Sequence, residues 1–89
     1  MNVVFINIDE TRVIPALREA GEKLDGAEGE VALDFSSVHR VDSSALRAME
    51  ELARIANEKN VKVALRGVGV EVYKVLKLVK LTQRFSFVN

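Results

Sequence analysis

Short β-branched runs and longer stretches of helical spacing take turns along this chain, and few folds accept that alternation. Residues 3–8, VVFINI, stop at Asp9 and Glu10 and predict a strand. From Thr11 the spacing changes, with Val13, Ile14, Leu17, Ala20 and Leu24 recurring at helical intervals. Pro15 is tolerated there because it falls in the first turn, and Asp9 or Thr11 is the expected cap. DGAEGE, residues 25–30, ends this helix. VALDF, residues 31–35, is apolar and nearly uncharged, as expected of a strand covered on both faces.

SSVHRV then leads to the turn Asp42-Ser43-Ser44 and a helix expected from about Ser44 to Asn57. Leu46, Met49, Leu52, Ala53 and Ala56 would be buried, while Arg47, Glu50, Glu51, Arg54 and Glu58 face water. Glu50 and Arg54 have the i,i+4 order that supports an exposed helical face. VKVALRGV, residues 61–68, predicts a third strand, with Gly67 and Gly69 in the turn beyond. The last helix is expected to bury Val72, Val75, Leu76 and Val79, with Leu81 near its end. FSFV, residues 85–88, reads as a final edge strand or a docked tail. Such alternation is the pattern of an α/β sandwich with a mostly parallel sheet and right-handed crossovers. Eighty-nine residues supply one core, so residues 1–89 are read as one domain.

Composition narrows the function. With no cysteine, disulfides, thiolate catalysis and cysteine-built zinc sites are excluded. No apolar run approaches the roughly 20 residues needed to span a bilayer, and MNVVFINIDE lacks the basic start of a signal peptide. A cytoplasmic protein without a membrane role is expected. The formal net charge is zero, which removes the electrostatic case for direct nucleic-acid binding. The charges are uneven: residues 1–44 carry −5 and residues 45–89 carry +5. Folding mixes the two halves, and an asymmetry that survives it would steer a protein partner. Lys74, Lys77, Lys80 and Arg84 read as a solvated helix face.

Nor does the chain read as an enzyme. The one histidine, His39, stands four residues before Ser43 in a loop, and no nucleophile-elbow pattern surrounds either serine. RGVG, residues 66–69, is too short to cradle a nucleotide, and no histidine cluster could hold a transition metal. No cofactor is expected. At the Asp-Ser-Ser turn all three residues are preferred N-caps. One cap needs one residue, so a hydroxyl is left over. A helix N-terminus carries free N–H groups and partial positive charge, and accommodates a phosphate. Phosphorylation there adds about −1.5 to −2 charges.

VALDFSSVHRVDSSALRAMEELARIANEKNVKVALRGV, residues 31–68, resembles the STAS domain, the fold of bacterial anti-sigma-factor antagonists. The shared pattern is an apolar strand ending in aspartate (Asp34), a short loop, Asp-Ser-Ser/Thr-Gly-Leu (Asp42, Ser43, Ser44 and Leu46), a long helix, a strand and an amphipathic helix; VYKVLKLVKLTQRF, residues 72–85, is similar to the last. The resemblance implies that Ser44 is phosphorylated by an anti-sigma factor, a serine kinase of the histidine-kinase-like ATPase type, whose ATP and magnesium belong to the kinase. The unphosphorylated protein binds this partner and frees a sigma factor. The implied partner surface comprises Asp42, Ser43, Ser44, Ala45 and Arg47. Ala45 replaces the usual glycine and adds a methyl where a kinase approaches the backbone. Only one strand fits before Thr11, so a sheet of about four strands is expected. A second reading is an unphosphorylated STAS scaffold or adaptor of a stressosome or lipid-transport ATPase complex. A phosphoacceptor receiver domain, prompted by Asp9, Glu10 and Asp34, needs ~120 residues and does not fit this length.

Overall fold

Each apolar run forms a strand and each helical stretch a helix, in the computed structural model, which describes residues 3–24 and 29–88. The strands are β1 (Val3–Asn7), β2 (Glu30–Asp34), β3 (Lys62–Arg66) and β4 (Ser86–Val88), and the helices α1 (Val13–Lys23), α2 (Ser43–Lys59) and α3 (Val70–Leu78). Spatial order equals sequence order, β1-β2-β3-β4, and every pairing is parallel. FSFV therefore supplies an edge strand. A parallel neighbour is reached only through a crossover, and each helix provides one.

The core lies between the helices and one face of the sheet. Ile6, Val31, Leu33, Val63 and Leu65 point into it and meet Leu17 and Ala20 of α1, Met49, Leu52, Ala53 and Ala56 of α2, and Val72 and Leu76 of α3. The two-residue period of a strand sends the alternate positions to the other side. Ala32 and Ala64 lie there, buried between neighbouring strands but outside the core cluster, and Phe5 in the same row is 66% exposed. β2 is buried on both faces, as its apolar run predicts, although among the described residues no helix lies on the Ala32 side.

Three expectations change. Asp9 caps a 3-10 turn at Glu10–Arg12, accepting from the Thr11 N–H at 2.9 Å; α1 itself starts at Val13 without a side-chain cap. Arg54 pairs with Glu51 and with Glu58 (2.7 Å) rather than with Glu50. The last helix ends at Leu78 and leaves Val79 44% exposed, because Lys80 adopts a left-handed conformation (φ 63°) and turns the chain out of the helix. Leu81 returns to the core, its N–H donating to the Leu76 carbonyl at 2.8 Å. Asn60 (φ 56°) and Val61 close α2 in the same way, with the Val61 N–H on the Ala56 carbonyl at 2.9 Å. Most of the break at 25–30 lies outside the described residues.

Candidate functional site

All four strands end on one side of the molecule, where β2 passes into α2. Asp34 ends β2, and its carboxylate accepts from the Ser36 N–H at 2.9 Å. The Ser36 hydroxyl and then its N–H hold Asp34 below the ordinary aspartate value, and Arg66 adds a weaker pull in the same direction. Phe35 and Val38 are buried, and the Ser37 hydroxyl donates to the Ile8 carbonyl at 3.1 Å, which ties the loop to the end of β1. Gly67, in the turn after β3, presses on this loop. A Cβ there would lie 2.9 Å from the Ser36 Cβ, and its φ of 72° also favours glycine. The segment leading to the serines is therefore anchored at three points.

Asp42 is the N-cap of α2. Its carboxylate accepts from the Ala45 N–H at 2.8 Å, and its carbonyl takes the first helical bond, from Leu46, at 2.9 Å. Ser43 and Ser44 follow as the first two helical residues, and both are exposed. Neither hydroxyl has a hydrogen-bond partner among the described residues. The surplus of capping residues thus resolves in favour of the aspartate, and both serine hydroxyls stay available.

Ser44 opens onto a groove of about 800 Å³ between α1 and α2. Ile14, Leu17, Leu52 and Ile55 line it with apolar surface, and Arg18, Arg47, Glu22, Glu51 and Glu58 supply charges of both signs. Arg47 stands three residues after Ser44, the spacing that makes helical neighbours. Ala45 is different. It is only 4% exposed. Of the expected partner surface, Asp42, Ser43, Ser44 and Arg47 are exposed and Ala45 is buried. A second cleft, on the other side of Asp42, brings in Arg12 and Arg40, which the sequence analysis did not single out. No spacing rule links them to the turn, because the fold alone brings residue 12 beside residue 42. His39 approaches Glu10 at 3.7 Å, both exposed. No group of three or more potential metal ligands occurs among the described residues. No helix among them is long and apolar enough to cross a membrane.

The family profile described as "Mlab, STAS domain" matches residues 10–88. The chain belongs to the STAS family. Two solved structures share the fold at low identity. The NMR structure of the protein TM1081 superposes with a TM-score of 0.79 at 18% identity, covering 98% of this chain and 74% of that one. The STAS domain of a SulP transporter from Vibrio cholerae gives 0.77 at 14% identity, covering 97% and 73%. A comparison with curated protein sequences finds no match. The STAS assignment agrees with the four-stranded parallel sheet and the three helices on one side of it.

Proposed function

We propose that the chain is an anti-sigma-factor antagonist, switched off when its partner, a serine kinase of the histidine-kinase-like ATPase type, phosphorylates Ser44. The observation that carries this reading is the division of labour at the start of α2. Asp42 satisfies the helix end, so the Ser44 hydroxyl is exposed and unbonded. In the reaction the Ser44 oxygen takes the γ-phosphoryl group of ATP, its proton leaves and ADP departs. The product dianion sits at the positive end of α2 with Arg47 and Arg18 in the same groove. The fold accepts the charge, whereas a partner docked over the turn must desolvate it. A cost of ~3–4 kcal/mol would weaken binding several hundredfold. Ala45, only 4% exposed, offers little surface to crowd the approach to Ser44.

The second reading, an adaptor that docks unmodified in a larger assembly, draws on the groove itself, whose apolar floor runs along α1 and α2 well beyond Ser44. One experiment separates the two. Incubated with the kinase and Mg-ATP, the protein should gain the mass of one phosphate, the Ser44→Ala variant none, and the modified protein should release its partner. Protein that stays unmodified and still binds would establish the adaptor.

A further inference from the structure

Among the described residues no helix packs on the sheet face turned away from α1, α2 and α3, and its side chains form a pattern. The register places Glu30 beside Lys62, Ala32 beside Ala64 and Asp34 beside Arg66. On this face β2 thus carries acid, alanine, acid, and β3 carries base, alanine, base. Phe5 of β1 continues the alanine row on one side and Ser86 of β4 on the other; Val88, 47% exposed, extends the row of Asp34 and Arg66. Among the described residues none of the four charged side chains is in an ion pair, although each has an opposite charge in the adjacent strand.

We propose that two copies of the chain pack through this face, about a two-fold axis that runs along the strands between β2 and β3. Such an axis lays β2 of each copy over β3 of the other and keeps the rows in step. Glu30 then faces Lys62 of the other copy, Asp34 faces Arg66, and Ala32 faces Ala64. A two-fold contact must be self-complementary, with each residue pair occurring twice. The charges choose between the in-plane axes. An axis across the strands would set β2 on β2, Glu30 against Asp34, and be repelled by like charge. The alanines leave the middle of the face low, so two sheets can approach at about the 10 Å usual for aligned packing. The axis also carries Phe5 of each copy over Ser86 of the other and beside its Val88, which covers exposed aromatic and aliphatic surface at both edges. Four short strands make a small face, so the association is weak and reversible. The helices lie on the opposite side, and Ser44 stays accessible in the pair.

Sedimentation equilibrium over a range of protein concentrations tests this with two single variants, each checked for native circular dichroism. Glu30→Lys makes the Glu30/Lys62 positions all basic, and Lys62→Glu makes them all acidic. Each variant alone should dimerise at least about tenfold more weakly than the parent, because it sets like charges opposite each other twice. Mixed in equal amounts, they should form a heterodimer of about parental affinity, since each basic position then faces an acidic one. Ala64→Arg, a wedge in the middle of the face, should abolish association. A parent chain that remains monomeric at millimolar concentration overturns the proposal. So does a dimer insensitive to all three substitutions, or variants that weaken association singly but do not rescue each other.

Discussion

Asp42 and Ser44 sit two residues apart and contribute to different things. The Asp42 carboxylate satisfies a helix amide, so Asp42→Ala should lower stability by about 1 kcal/mol in urea denaturation. Ser44→Ala removes a hydroxyl with no partner among the described residues and should stay within about 0.5 kcal/mol of the parent. Ser44→Asp should likewise fold normally and, under the proposed function, weaken binding to the proposed kinase, as measured by calorimetric titration. A residue that matters to binding and not to folding is what a modification site requires. Gly67→Ala, by contrast, meets both a left-handed backbone and the Ser36 Cβ at 2.9 Å, and should cost more than about 2 kcal/mol. The sequence shows three capping residues in a row but not which one turns inward. That depends on the extended backbone of Asp42 (φ −93°, ψ −179°), which aims its side chain back at the helix. The burial of Ala45 was hidden for the same reason, since it follows from the packing of α2 and not from the motif.

At the scale of elements, α2 and α3 end by the same device. Asn60 and Lys80 each occupy the left-handed position at which glycine is preferred. Asparagine tolerates it and lysine less so. Lys80→Gly should therefore raise stability by about 0.5–1 kcal/mol, and Asn60→Gly by less, a difference readable in thermal melts. Lysine gives no local signal for a stop, so helical spacing read on through Val79 and buried it wrongly. Strands were more legible. VVFINI, VALDF and VKVALRGV each match an observed strand to within two residues at either end, because β-branched runs with turn residues at their borders have few other uses. What the runs do not disclose is what covers each face: alanine at 32 and 64 reads as apolar whether a helix or the flanking side chains of its own sheet bury it.

The whole molecule should respond to acid in a defined direction. Asp9 is held below the ordinary aspartate value by the Thr11 N–H and then its hydroxyl, Asp34 by Ser36, and Glu51 below the usual glutamate value by Arg54. The unfolded chain releases these constraints, so below about pH 4 it binds more protons than the native state. Their stabilisation is complete above the unfolded values and disappears as pH falls through the folded ones. Stability from urea melts should therefore be level near neutrality and decline below about pH 4. Asp9 and Glu51 are exposed and Asp34 is half-buried, and the Glu51–Arg54 share should shrink in high salt. Spatial order that copies chain order has a further consequence, in time. As synthesis proceeds, each strand leaves the ribosome to find its one template already laid down beside it, and no later strand has to be inserted between two earlier ones. The nascent protein can be assembled like courses of brick, from the β1 edge outward.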